Sequence, residues 1–208
     1  MVEGDDPDRA IRFFEELLAA RPRSAIARVQ LAISYMYRTP DRELGSVRKG
    51  LLASEALKLL EEVAAAYPDS WGIHYAVGLI HLDWFTKLKH VPFALEAFER
   101  CLTLQKGRER EKPYYVLVYQ ALGDALVKDL RFPHGRKVWK DGQDFFPDDR
   151  GLADRMGLTA LMVTRYVEDL RSWATAEDTW KLSQLIGDLE DLPAGPSGDA
   201  PLPGKKQS

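Results

Sequence analysis

The sequence holds a single cysteine, Cys101, among 208 residues. That excludes an internal disulfide and any zinc or iron–sulfur centre built from several thiolates, and it suits a reducing compartment. No stretch approaches the ~18 consecutive apolar residues of a membrane-spanning helix. None alternates polar and apolar residues beside hairpin turn chemistry, so no strand is expected. HExxH, the glycine-rich phosphate loop and the nucleophile elbow are all missing. Charge of one sign is also scarce. A formal net charge of -3 gives no general attraction to nucleic acid or anionic lipid. The opening MVEGDDPDRA has no basic-then-apolar leader, so the chain as it stands reads as cytoplasmic. Removal of a leader upstream would make it periplasmic or exported.

What is present is helix. Apolar residues make up 45% of the chain and charged ones 29%, enough for a core and a solvated surface. From Asp8 to Leu189 the apolar residues recur at helical spacing. Asp6 is placed to cap a first helix with Pro7 at its first position and Ala10, Phe14, Leu17 and Leu18 on one face. A second helix runs from about Ala25 to Arg38, and a third ends near Ala66. Helices over roughly 71–85, 92–104, 114–129 and 132–145 follow. Two more apolar-periodic runs, near 150–170 and 176–190, read as a cap over residues 150–191. Met156, Leu161, Met162 and Tyr166 would cover the last pair; Thr175 and Asp178 would start a helix burying Leu182, Leu185, Ile186 and Leu189. Residues 192–208 carry four prolines and three glycines and read as a disordered tail.

One phrase recurs: ARPRSAIARVQLA, AYPDSWGIHYAVG and FFPDDRGLADRMG. In each, a proline ends one helix and Ser24, Ser70 or Asp149 caps the next. Before Pro22, Pro68 and Pro147, at equal distances, stand Ala10 and Phe14, Ala56 and Leu60, and Gly135 and Trp139. After the first two prolines, and inside the third frame, come Leu31-Ala32, Val77-Gly78 and Leu122-Gly123. Tyr35, His81 and Leu126 lie three residues beyond these pairs.

This pattern resembles the tetratricopeptide repeat, a 34-residue helix pair. The clearest unit is VLVYQALGDALVKDLRFPHGRKVWKDGQDFFPDD, from Val116 to Asp149, with Tyr119, Leu122, Gly123, Gly135, Trp139 and Pro147 on signature positions. The unit opened by Trp71 matches through His74, Val77, Gly78, His81, Ala94, Phe98 and Cys101. The unit opened by Ala25 matches through Leu31, Ala32, Tyr35, Ala56, Leu60 and Pro68. Insertions fall near 39–50, 86–90 and 107–113. The resemblance implies an all-α, right-handed superhelical solenoid over residues 1–149, about three and a half pairs, followed by the helical cap. Gly or Ala would stand where the two helices of a pair cross closely, and bulky Phe, Leu or Trp would fill the groove toward the neighbouring repeat.

Residues able to do chemistry read as structural. His74 and His81 are seven apart, about 10 Å of helical rise, too far for one straight helix to bring both to one ion. His90 and Asp83 lie near His81 in sequence, but His81 occupies an aromatic packing position of the repeat. Cys101 occupies a small buried position. Glu61-Glu62 reads as a solvated face, and Asp148-Asp149 as a helix start. Lys106, Arg108, Arg110, Lys112, Arg131, Arg136, Lys137 and Lys140 are interleaved with Glu109, Glu111, Asp129 and Asp141, as on a solvated surface rather than a nucleic-acid footprint. No catalytic residue, cofactor or metal site is assigned.

In the tetratricopeptide family, ligands contact the first helix of each pair on its concave side. The resemblance places Ile26, Val29, Ile33, Met36 and Tyr37 there, then Tyr75, Leu79, Leu82 and Asp83, then Leu117, Gln120, Asp124 and Lys128. Members that clamp the C-terminal carboxylate of heat-shock chaperones use Lys, Asn and Arg. Here Val29 and Ile33 hold the first clamp positions and Lys128 is the single cation of the set, so that ligand is not implied. The implied role is a non-catalytic scaffold or adaptor binding an extended peptide or helix of another protein. The alternative is an accessory protein of transport systems that encloses a small apolar ligand.

Overall fold

The computed structural model describes residues 6–39, 43–83 and 90–158. Among them there is no strand; eight α-helices and one 3-10 turn account for the regular structure. The chain divides into two compact units, and the described residues 6–68 fall in the first, 69–158 in the second.

The first unit holds α1 (Pro7–Ala20), α2 (Ala25–Arg38) and α3 (Ser46–Ala66). The expected cap of α1 is present: Asp6 accepts from the Asp8 amide at 3.0 Å, with Pro7 in the first turn. Ser24 likewise accepts from the Ala27 amide at 3.2 Å to start α2. Such caps hold amide groups that the first helical turn leaves without partners. Tyr35 donates to Glu15 at 3.0 Å and Arg38 pairs with Asp8 at 2.9 Å, so α1 and α2 run antiparallel. The unit is centred on Ala27, Val29, Leu31 and Ala32 of α2 and Ala53, Ala56, Leu60 and Val63 of α3, all buried. No residue of α1 is buried, and its Phe13 is 58% exposed.

The second unit holds α4 (Trp71–Asp83), α5 (Val91–Gln105), a 3-10 turn (Pro113–Tyr115), α6 (Val116–Lys128), α7 (Phe132–Phe145) and α8 (Arg150–Met156). Gly78 and Gly123 stand at close crossings, as expected, but the bulky residues they meet, Phe98 and Trp139, lie on the adjoining helix, where the repeat pattern placed them toward a neighbouring repeat. A Cβ on Gly78 would lie 2.5 Å from Cε1 of Phe98, and one on Gly123 would lie within the ring of Trp139. Gly135 faces the Gly123 carbonyl and Val127, while Gly142 faces Tyr119. Residue numbers rise along α7 as they fall along α6, so the two are antiparallel. Trp139 and Phe98 are completely buried, which is where large side chains stabilise most.

Helices of the same kind run parallel. Gln120 of α6 meets Asp149 just before α8, and Asp124, one turn on, meets Arg155 one turn and a half into α8. At the matching ends of α4 and α6, the Lys128 ammonium donates to the Leu82 carbonyl. At the other ends, the Trp71 ring lies 5.2 Å from that of Tyr114 and 5.3 Å from that of Tyr115. Thus α4, α6 and α8 share one direction, and α5 and α7 the other.

The link between α6 and α7 is short. Leu130 takes φ 62, the left-handed region, while the Arg131 amide reaches the Leu126 carbonyl at 2.8 Å and the Leu130 amide the Val127 carbonyl at 2.9 Å. This is the Schellman ending, with leucine where glycine is usual. Of the predicted cap, α8 is described; the runs carrying Leu161, Met162, Tyr166, Thr175, Asp178, Leu182, Leu185, Ile186 and Leu189, and the tail 192–208, lie outside the described residues. So do 84–89, which hold most of one predicted insertion.

Candidate interaction surface

The three predicted stretches of the concave face fare differently. On α2, Ile26, Ile33 and Met36 are half-buried and Tyr37 is 63% exposed. Val29, in the middle of the same stripe, is buried against the unit's own core. Spacings of three, four and seven residues put all five on one side of the helix. The stripe carries no charge.

On α4, Leu79 and Leu82 are half-buried. Tyr75 is not accessible. Its ring stacks on that of Trp71 with centroids 4.9 Å apart and leans on Phe98 at 5.9 Å. It belongs to an aromatic cluster at one end of the unit, organised by Gln105. That completely buried amide accepts from the Trp71 indole at 2.7 Å and donates to the Tyr115 carbonyl at 3.3 Å. Asp83 ends α4.

On α6 every residue from Val116 to Val127 is buried. Leu117 is part of the core. Gln120 donates to the Asp149 carboxylate at 2.9 Å, and its carbonyl accepts from the Trp139 indole at 3.3 Å. Asp124 takes both arms of the Arg155 guanidinium, at 2.8 Å each. Lys128 is half-buried on the Leu82 carbonyl, and burial lowers its pKa. The polar groups that the resemblance places on the concave face of α6 therefore have internal partners. The reason is α8, whose Gly151 lies against the Gln120 amide and whose Arg155 neutralises Asp124. Arg155, Gln105 and Gly151 were not foreseen, because only a long-range contact gives them a role.

The histidines show a contact that sequence spacing does not disclose. His81 and His90 approach with their Nδ1 atoms 3.2 Å apart and ring centroids 5.4 Å apart. That centroid separation is close to the longest such a contact permits, so the nitrogens face each other nearly head on, as in one N–H···N hydrogen bond. His81 also lies against Phe93 at 5.2 Å. Burial, and secondarily the His90 charge, lower the His81 pKa to about 4. No group of three or more His, Cys, Asp or Glu side chains placed to hold a metal ion occurs among the described residues.

Cys101 is completely buried, its thiol donating to the Trp71 carbonyl at 3.4 Å, and burial pushes its pKa well up. A buried, protonated thiol is a poor nucleophile. Several of the interleaved charges form ion pairs: Arg131 with Asp129 at 2.9 Å and Lys137 with Asp141 at 3.6 Å, while Lys140 pairs with Asp144 at 3.2 Å. Arg110 instead donates to the Phe145 carbonyl at 2.6 Å, closing the end of α7.

Among the described residues no helix is long and apolar enough to cross a membrane. No family model matches this sequence, and no match was found among curated proteins or solved structures.

Proposed function

We propose that this chain is a non-catalytic interaction module that receives a segment of a partner protein along the apolar stripe of α2. The observation that carries the reading is the partial exposure of Ile26, Ile33, Met36 and Tyr37 on one uncharged face, with Tyr37 standing 63% exposed at its end. Tyrosine and methionine suit such surfaces: one offers a rigid ring with a polar tip, the other a side chain that adapts. An extended peptide or an amphipathic helix presents apolar residues at a spacing that would follow the stripe.

The architecture we infer beneath it is a tetratricopeptide-like solenoid. Two features of the second unit support this: the parallel run of α4, α6 and α8, and the glycine-against-bulky pairing of Gly78 with Phe98 and Gly123 with Trp139. Fold alone assigns no activity, and the assignment of partner binding rests on the exposed stripe. Within the second unit, considered by itself, Leu79 and Leu82 of α4 stay candidate contacts, whereas Gln120 and Asp124 have a structural role.

Affinity purification from the native source, with wild-type chain and with Ile33→Asp plus Met36→Asp, tests the proposal. Both side chains are half-buried, so circular dichroism is run in parallel to confirm that the variant stays helical. The expected result is a partner protein enriched by the wild type and lost with the variant. Equal recovery by a folded variant contradicts the assignment.

A further inference from the structure

The first unit contains a cavity of about 200 Å³ beneath α1, α2 and the start of α3. Its apolar lining comes from Ile11, Leu52 and the buried Leu44. The remaining lining is polar, and the charges do not all cancel one another. Arg38 is held by Asp8 at 2.9 Å. Among the described residues Glu15 receives only the neutral phenol of Tyr35, at 3.0 Å, and no cationic side chain pairs with it. Burial and that carboxylate push the Tyr35 pKa up to about 12, so the phenol remains a donor. Arg48 lines the same cavity from α3 and has no hydrogen bond or ion pair among the described residues. A carboxylate on α1 and a guanidinium on α3 thus border one cavity without pairing with each other.

We infer that this cavity binds a small zwitterion with an apolar side chain, an aliphatic α-amino acid. Its carboxylate would meet the Arg48 fork, the geometry in which guanidinium recognition is strongest. Its ammonium would meet the free oxygen of Glu15, and its side chain would lie on Ile11, Leu44 and Leu52. Size points the same way. The cavity is smaller than the roughly 300–1,000 Å³ typical of sites for drug-sized ligands, yet holds several times the ~30 Å³ share of one water. A purely apolar ligand would use neither charged side chain, both of which are exposed to water, and a simple anion would have Glu15 repelling it. The inference is independent of the partner proposed for the α2 stripe, since Ile11, Glu15 and Arg48 lie on other helices.

Isothermal titration of the full chain with L-leucine is the test, alongside 4-methylpentanoate, which lacks the ammonium, L-leucinamide, which lacks the carboxylate, and glycine, which lacks the side chain. Saturable binding of leucine is expected, at least about tenfold weaker for each of the other three, as follows when one charge-assisted bond or the apolar contact is lost. Arg48→Gln and Glu15→Gln are each expected to weaken leucine about tenfold. Arg48 is exposed and has no partner among the described residues, so its variant is expected to melt like the wild type. Absence of leucine binding at millimolar concentration overturns the inference. So does 4-methylpentanoate or leucinamide binding as tightly as leucine, or a folded Arg48→Gln variant that binds unchanged.

Discussion

One oxygen of Asp149 accepts two hydrogen bonds at once, from the Leu152 amide at 2.8 Å and from the Gln120 side chain at 2.9 Å. The first starts α8 and the second fastens that start to the middle of α6. A residue recognisable in sequence as a helix cap is also the partner that removes Gln120 from any binding surface.

Replacement of Asp149 by alanine is therefore expected to cost more than a lost cap. A cap alone is worth about 1 kcal/mol, and a buried amide left without its acceptor adds about 1–3 kcal/mol. Urea denaturation of Asp149→Ala should show a loss of at least about 2 kcal/mol. Asp149→Asn, which retains an acceptor oxygen, is expected to lose clearly less.

The Asp124–Arg155 pair makes a second demand on the same joint. Both side chains are nearly buried, at 11% and 13% exposure, so removal of one leaves the other charged and poorly solvated. Breaking a fully buried pair costs about 3–5 kcal/mol, and Arg155→Met should approach the lower end of that range. In a double-mutant cycle, Asp124→Leu added to Arg155→Met is expected to recover part of the loss. Additive losses would show that the pair contributes little.

The approach of Gly123 to Trp139 leaves no room for a methyl group. Gly123→Ala forces the buried indole to move and is expected to destabilise by about 1–3 kcal/mol, the usual cost of overpacking. Combination with Trp139→Leu, which vacates the space, should give a double variant more stable than the sum of the single effects.

Much of this joint was legible in the sequence. Pro7, Ser24 and Asp149 located helix starts, and Gly78, Gly123 and Gly135 marked close crossings, because local chemistry and a packing period leave direct marks; that Gly78 meets Phe98 and Gly123 meets Trp139 was not legible. The predicted bounds of α2 and α7 agree with those observed. The exposure of the proposed face was not legible. Whether Gln120 and Asp124 meet a guest or a neighbouring helix depends on Arg155 and Gly151, about thirty residues away, and the repeat register is the same in both cases. The His81–His90 contact, too, arises from the turn back of α5 onto α4 and not from helical spacing.

The link at Leu130 has room to improve. A non-glycine residue in the left-handed region costs about 1–2 kcal/mol, and this leucine is also 84% exposed, so it contributes little packing in return. Leu130→Gly is expected to stabilise the fold by about 1 kcal/mol, read as a higher urea midpoint. Unchanged or reduced stability would indicate that the leucine side chain holds something in place.

The histidine pair gives a pH dependence with a definite sign. His81 is held at about 4 in the folded chain, mainly by burial, against an unfolded value of 6.5. Between those values the unfolded chain takes up a proton that the folded chain does not. Stability is thus complete above 6.5, falls with pH through the window, and stops falling from this cause below about 4. Urea midpoints from about pH 7 to about pH 5 should decline for the wild type, and less steeply for His81→Phe, which keeps the aromatic contact with Phe93.

The central claim, that α2 presents its apolar stripe to another protein, is tested most directly by photo-crosslinking in the native cell. A photoreactive residue is placed at Ile33 or Met36, and as a control at Glu61, exposed on α3. A crosslinked species with one partner protein, the same from Ile33 and Met36 and missing from Glu61, is the predicted result. No adduct at either stripe position, or the same adduct at all three, would contradict it.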